Sequence, residues 1–470
     1  MNQKTVRMAL PSSSTAILLR TIIMLLALSA ECRAAGLQQK IASLLAHKDY
    51  AGVQFGMCIT DARGKTLFAF HDTASLIPAS NQKLVTGACG LLRFGPGHRF
   101  ATSFYRRGRL EHGELQGDLV VRGTGAVELT ARYTENFDKK KEILSAQLDN
   151  LAQRIRGAGI SRIGGNILVD GSAWSDLVLN AQYPSAGSVT FNENTVEIQV
   201  AGAKIRTIPE NVLHFKLVPQ NSGPRQEKAL ANGVPTDRIL INTACDSTDY
   251  WRIDTISAEE YYRQNIASAL SHRGIAVAGT AGAAGSSEEL LFTLEGIPVS
   301  EYVYRMFTDS DNLRAELLFL NLGYVARGKA NYENASAACA DLLRKHKILP
   351  EQGSLADGSG LSRDNRISAK ALARLLRFMS GDKNREAFRS SLAIAGLTGT
   401  LKNKFSAQEL TGKVQAKSGT LDDVLSLSGF AETERGEAVF SFIANQVEDK
   451  KKIWHLYEKI LLCLVTTGRP

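Results

Sequence analysis

The sequence predicts a mixed α/β (α+β) fold: one domain split by an insertion, with its two parts meeting in space. Three observations point there. Helical and strand patterns alternate in the first hundred residues, a run of short alternating strands separated by Gly/Pro loops fills the middle, and an α-rich third closes with two or three strands. No internal repeat is present. At 44% hydrophobic and 22% charged, the 470 residues exclude disordered and fibrous classes and allow two to four domains.

Residues 1–34 come first. Basic Lys4 and Arg7, an apolar stretch to Ala30 and then small residues give the order of a secretory signal, with cleavage near Ala34. Arg20 interrupts the apolar run, which argues against a membrane span, and Glu31 ahead of Cys32 is wrong for a lipoprotein signal. From Leu37 to Ala46 the pattern is helical. "VQFGMCITDARGKTLFAF" reads as a strand, a turn at Asp61–Gly64 and a second strand. "IPASNQKLVTGACGLL" follows. Pro78 breaks the chain, and Leu84, Val85, Ala88, Leu91 and Leu92 recur at helical spacing, with Gly90 the weak point. Ser80 therefore stands at a helix mouth, with Lys83 one turn further on the same face.

"GELQGDLVVRGTG" is a strand bounded by glycines, "EILSAQLDNLAQRIRGAGI" an amphipathic helix closed by glycine, and "IGGNILVDGSAW" another strand. "NTVEIQVAG", "LHFKLVPQ", "RILINTACD" and "YWRIDT" make a β-rich region. A helix near Ala258–Arg273 and the Gly/Ala-rich "GIAVAGTAGAAG" lead back out. The last third holds "AELLFLNLGYVARG", "ENASAACADLLRKH" and "SAKALARLLRFM" as helices. "GKVQAKSGT", "VLSLSGFAE" and "AVFSFIANQV" follow as strands, with a final helix from about Lys452 to Leu464.

The net charge of +9 favours polyanionic surroundings such as anionic lipid or an acidic wall polymer. The basic residues are scattered, with no arginine-rich arm, so nucleic acid is not an expected partner. Six cysteines (Cys32, Cys58, Cys89, Cys245, Cys339, Cys463) form no CxxC pair and have no histidine cluster nearby, so neither a metal nor another cofactor is expected. Cys58, Cys89 and Cys463 sit in apolar stretches and read as buried cysteines.

The chemistry gathers around Ser80. A serine needs a group that takes its proton, and the eight histidines have no Ser or Asp context that would make a triad. A desolvated lysine can serve instead, because burial lowers its pKa towards neutrality, and a helix N-terminus offers N–H groups for an oxyanion. Ser-x-x-Lys alone is weak: Ser380 and Lys383 match it too, in a Gly/Asp/Asn turn that reads as a helix end and a solvated loop. Two further patterns strengthen the first copy. Ser310-Asp311-Asn312 precedes a helix, where it also reads as a cap, and Lys417-Ser418-Gly419-Thr420 lies on a strand. S-x-x-K, S-D-N and K-[TS]-G in this order form the signature of active-site serine penicillin-recognising enzymes.

Further stretches extend the likeness: "PASNQKLVT", "GDLVVRGTG", "IGGNILVDGSAW", "SDNLRAELLF", "DGSGLSRDNRIS", "GLTGTL" and "KSGTL". On them the chain resembles the DacB-type D-alanyl-D-alanine carboxypeptidases, the class C low-molecular-mass penicillin-binding proteins. The 230 residues between Ser80 and Ser310 fit that type, and serine for the usual threonine at Ser418 is the main departure. The resemblance implies a penicillin-binding, β-lactamase-like domain at 35–105 and 295–470, with helices around an antiparallel sheet. Two inserted smaller domains would interrupt it: an α/β one at 106–182 and 256–294, and an inner β-rich one at 183–255.

The resemblance also implies roles. Ser80 would be the nucleophile and Lys83 its general base. Ser310 and Lys417 would relay the proton to the leaving amine, and Asn312 would hold the substrate amide and support Lys83. Lys417 would also meet the substrate's terminal carboxylate, with Ser418, Gly419 and Thr420 alongside, and the N–H groups of Ser80 and Thr420 would form the oxyanion hole. The implied partners are peptidoglycan stem peptides, with β-lactam antibiotics as covalent inhibitors and peripheral association with membrane or murein, in the periplasm. Arg363 is the candidate for the carboxylate of a diaminopimelate side chain, against a structural salt bridge. Asp176 is the candidate for its ammonium, with Asp170 as rival. A serine β-lactamase and a non-catalytic murein-binding protein are the alternative readings.

Overall fold

A computed structural model describes residues 36–174, 186–210, 216–231, 234–252, 256–279, 287–348 and 353–466. The expected signal segment 1–34 and Asp176 lie outside the described residues. The chain forms two compact units.

The first unit comprises the described residues within 1–76, 368–377 and 393–470. Its centre is a six-stranded antiparallel sheet in the order Ala393–Ile394, Val414–Leu421, Val424–Thr433, Gly436–Asn445, Gln54–Asp61, Thr66–Phe70. The two hairpins joining 414–445 are tight, and the strand that opens the chain pairs with the last one, so the N-terminal hairpin is completed by residues nearly four hundred positions away. Six consecutive residues of Gln54–Asp61 are buried, as are eight of Val424–Thr433. The buried run in Val424–Thr433 includes Ser426 and Ser428, and the Ser428 hydroxyl donates to Ser441 Oγ (2.8 Å). The closing helix Lys450–Thr466 lays Ile453, Leu456, Tyr457, Ile460 and Leu461 on this sheet, joined by Leu37 and Ile41 from the helix at 36–45. The Tyr457 hydroxyl donates to the Leu425 carbonyl (3.0 Å), satisfying a buried polar group within that layer.

The second unit comprises Ile77–Ile367 and Phe378–Leu392. The helix Gln82–Phe94 is buried along most of its length, with Val299–Thr308, Asn312–Arg327 and Tyr332–Lys345 packed around it. A second sheet runs Ala276–Val277, Arg162–Ile163, Glu114–Gly123, Arg99–Glu111, Glu288–Pro298, with Ile167–Val169 beside Glu114–Gly123. The helices Phe137–Gly157 and Ala258–His272 share its core through Leu144, Leu148, Leu151, Tyr262 and Ile266. Phe137–Gly157 starts earlier than its apolar periodicity announces, because the Asn136 side chain accepts from the N–H groups of Asp138 and Lys139. Two three-stranded sheets complete the unit. Thr195–Ala201 lies between Ser247–Arg252 and Lys204–Ile208, and Val234–Asn242 lies between Gln226–Ala231 and Lys216–Gln220. Among the described residues, no helix is long and apolar enough to cross a membrane.

Candidate active site

Ser80 is the middle residue of a single 3-10 turn, Ala79–Asn81, that leads directly into the helix Gln82–Phe94. The turn is bought with strain: Ala79 has φ 48°, a left-handed conformation that costs a residue with a Cβ. It leaves Ser80 half-buried at the helix mouth and sets Lys83 one turn on, with no exposed surface.

The Lys83 ammonium nitrogen is surrounded by oxygen. It lies 3.0 Å from Ser80 Oγ, 2.7 Å from Asn312 Oδ1 and 2.7 Å from the Ser359 carbonyl. Burial drives its pKa down from the ordinary lysine value to about 8, against the opposing pull of Asp357, Glu316 and Asp311. Asn312 and the Ser359 carbonyl can only accept here. A neutral amine must then spend its two protons on them, which leaves its lone pair facing the Ser80 hydroxyl.

Asn312 is the first residue of the helix Asn312–Arg327, and Asp311 caps that helix by accepting from Arg314 N (2.9 Å). The capping and the site readings of this motif thus hold together: Asp311 caps while Asn312 reaches Lys83. Ser310, half-buried, takes a left-handed φ of 61° just before the cap. Burial would raise the Asp311 carboxyl, but Arg314 and Arg132 outweigh it and hold it at about 2.

The loop 357–360 is a part of the site that the motifs do not announce, although "DGSGLS" falls among the stretches shared with the family. Its Ser359 contributes a main-chain carbonyl, which leaves no side-chain signature. The loop is held from two sides. Glu316 accepts from the N–H groups of Gly358 (3.2 Å) and Ser359 (2.9 Å), and Asp357 accepts from Gly360 N (2.7 Å) and Ser362 N (2.6 Å). Burial, with Asp357 adding to it, pushes the Glu316 carboxyl up to about 8. Gly360 has φ 87°, and a Cβ there would stand 1.9 Å from the Ala79 carbonyl oxygen, so only glycine lets the loop lie against the serine turn.

Lys417, Ser418, Gly419 and Thr420 lie in the first unit, on the strand Val414–Leu421. Lys417 is fully buried and donates to the Ser418 carbonyl (2.7 Å). The Ser418 hydroxyl donates to Thr400 Oγ1 (3.0 Å), and Thr420 is exposed. Arg363 is exposed on the loop that follows Gly360 in the second unit. Asp170 is engaged by Arg122 (2.7 Å), and this bond lowers its pKa. The second Ser-x-x-Lys copy ends a helix: Ser380 lies in the last turn of Ala369–Gly381 and Lys383 is exposed beyond it. Among the described residues, no cluster of His, Cys, Asp and Glu could hold a metal ion.

A buried lysine bonded to a serine at a helix mouth, beside a Ser-Asp-Asn turn on a mixed α/β fold with an antiparallel sheet, is the arrangement of the active-site serine penicillin-recognising class. The chain belongs to the D-Ala-D-Ala carboxypeptidase 3 (S13) family, whose sequence model matches residues 37–456. It is 25% identical over 410 residues to the D-alanyl-D-alanine carboxypeptidase DacB of Haemophilus influenzae, covering 79% of this chain and 80% of that one. It is likewise 25% identical over 453 residues to the D-alanyl-D-alanine carboxypeptidase of Actinomadura sp. strain R39, covering 87% and 81%. The crystal structure of penicillin binding protein 4 (dacB) from Haemophilus influenzae superposes with a TM-score of 0.70 at 20% identity, covering 89% of this chain and 98% of that chain. That likeness shows a shared fold, in line with the expected mix of helices and antiparallel sheet.

Proposed function

We propose that this protein is a serine-type D-Ala-D-Ala carboxypeptidase and D,D-endopeptidase acting on peptidoglycan stem peptides through an acyl-enzyme on Ser80. The observation that carries it is the 3.0 Å contact between Lys83 Nζ and Ser80 Oγ, with the other two neighbours of that nitrogen being pure acceptors. Neutral Lys83 takes the Ser80 proton as Oγ attacks the carbonyl of the penultimate D-alanine. The tetrahedral oxyanion faces the N–H groups of Ser80 and Thr420. The proton passes by way of Ser310 and Lys417 to the departing amine, and water then hydrolyses the ester and restores Ser80. Asn312 orients both Lys83 and the substrate amide.

The assignments of Lys417, Ser418, Gly419 and Thr420 to the substrate's terminal carboxylate rest on the order of the three motifs. Those of Arg363 to a diaminopimelate carboxylate and of Asp176 to its ammonium rest on the family likeness. The ion pair of Asp170 with Arg122 favours Asp176 over its rival. Export with removal of residues 1–34, an inserted α/β domain at 106–182 and 256–294, and an inner domain at 183–255 belong to the same reading.

A β-lactam mimics the D-alanyl-D-alanine terminus. Its leaving group stays tethered to the adduct and blocks water, so benzylpenicillin should leave one persistent penicilloyl group on the tryptic peptide that contains Ser80. Ser80→Ala should abolish the label and Ser380→Ala should not. Label on a peptide carrying Ser359, Ser362 or Ser380, or rapid turnover of the penicillin, would defeat the proposal. Mass analysis of muropeptides incubated with the protein should show loss of terminal D-alanine and cleavage of D-alanyl cross-links.

A further inference from the structure

The turn Asn192-Glu193-Asn194 carries three successive non-glycine residues in the left-handed region, at φ 45°, 55° and 54°, all of them buried. One such residue is uncommon, and three in a row persist only where the surroundings over-determine them. Here they do. Asn192 Nδ2 donates to the carbonyls of Thr195 (3.1 Å) and Ile208 (3.2 Å), and Thr195 Oγ1 donates to the Asn192 carbonyl (2.7 Å). Phe191 N donates to Asn194 Oδ1 (3.2 Å), and Asn192 N donates to the Leu129 carbonyl (2.8 Å).

What this turn presents is the Glu193 carboxylate, with no exposed side-chain surface. It accepts from Arg314 (2.9 Å), Arg132 (3.2 Å) and Thr130 Oγ1 (3.0 Å). Arg314, 3% exposed, spends its other arm on Asp311 (2.9 Å). The Tyr133 hydroxyl closes the ring on Asp311 (2.5 Å), and its aromatic face lies under the Arg314 and Arg305 guanidinium groups. Asp311 stands between Ser310 and Asn312. A chain of fully desolvated, charge-assisted bonds therefore runs from residue 193, in the stretch of short strands, to the turn that meets Lys83.

We propose that Glu193 is a positioning residue for acylation: held rigid by its left-handed turn, it fixes Arg314, which fixes Asp311 and so sets Asn312, the next residue, against Lys83. This gives residues 183–255 a role in catalysis without contact with the reacting atoms, and it rests on the Ser80 reading above. A shift of about 1 Å in such a group is enough to cost roughly a hundredfold in rate.

The test uses the full mature chain and the variants Glu193→Gln and Glu193→Asp. In Glu193→Gln, benzylpenicillin acylation and kcat on a D-Ala-D-Ala peptide should fall at least about tenfold, with KM changing by a smaller factor than kcat, because Asn312 alone among the substrate-binding groups depends on this chain of bonds. Glu193→Asp, which keeps the charge, should recover part of the rate. Amide exchange across residues 308–316 should speed by about tenfold in Glu193→Gln while the helix Gln82–Phe94 stays protected. Unchanged acylation and exchange in Glu193→Gln would overturn the proposal. So would a loss matched by faster exchange throughout the unit, or a Glu193→Asp variant as slow as Glu193→Gln. If the unmodified protein took no label, the Ser80 reading would fail separately, and exchange confined to 308–316 would still decide whether Glu193 holds that turn.

Discussion

Lys83 shows how a single side chain can be tuned by what encloses it. Only its neutral form can take a proton, so kcat/KM for a D-Ala-D-Ala peptide should rise with pH, reach half its limit near 8, the value to which burial brings Lys83, and level off about one pH unit higher. A plateau already reached at pH 6 would contradict this. The same shift has a sign for stability. The folded pKa lies below the unfolded one, so between about 8 and 10.5 the unfolded chain binds more protons and this residue makes stability rise with pH; below about 8 its full cost is present. Lys83→Met should therefore lose acylation by more than about a thousandfold, yet melt no lower than the parent at pH 7, since an expensive buried charge has gone. A calorimetric scan showing a large drop would mean that the three hydrogen bonds outweigh desolvation. The cluster of Ser80, Lys83 and Asn312 was legible in the sequence because side-chain chemistry leaves a pattern. The Ser359 carbonyl was not, because any residue could supply one. Glu316 was hidden inside "AELLFLNLG", where a lone carboxylate reads as the polar edge of an apolar helix.

The apolar spacing of the helix Gln82–Phe94 is weak at Gly90, and the packing explains both that glycine and Gly87. A Cβ on Gly87 would stand 2.6 Å from the ring edge of Phe307, and one on Gly90 equally close to the Leu318 side chain, so the neighbouring helices close directly onto bare backbone. Gly87→Val should cost about 1–3 kcal/mol in urea denaturation, because the aromatic ring has little freedom to withdraw. Gly360→Ala should act differently. Its Cβ meets the backbone carbonyl of Ala79, one residue from Ser80, so acylation should fall by a larger factor than stability alone accounts for. Parallel measurements of melting temperature and penicillin acylation on the two variants separate these cases; equal effects on both properties in both variants would show that the loop merely packs. Periodicity found these helices well, but Val424–Thr433 alternates Leu425-Ser426-Leu427-Ser428 like a strand wet on one face, while eight of its residues are buried, Ser426 and Ser428 included.

The two units divide the motifs between them: Ser80, Lys83 and Ser310–Asn312 belong to one, and Lys417–Thr420 to the other. Lys417→Ala should penalise a peptide with a free C-terminal carboxylate far more than the same peptide amidated, measured as kcat/KM on both. Equal losses would assign Lys417 to proton transfer instead. With a net charge of +9, retention on an anionic wall polymer should weaken steadily with added salt, and salt-independent retention would exclude an electrostatic origin. The fold class and the family were readable because family stretches recur from "PASNQKLVT" to "KSGTL", and the family match over 37–456 agrees. The turn at Glu193 was not readable, since three left-handed residues depend on partners far along the chain. That distance bears on how the protein is made. The two acceptors that aim the Lys83 amine lie 229 and 276 residues downstream of it. A ribosome adding 5–20 residues each second therefore needs roughly 14–55 s after Lys83 before the last of them exists. Throughout that interval the nascent chain lacks one or both of the acceptors that hold the Lys83 amine beside Ser80. The chemistry proposed for Ser80 can be assembled only after residue 359 has been made.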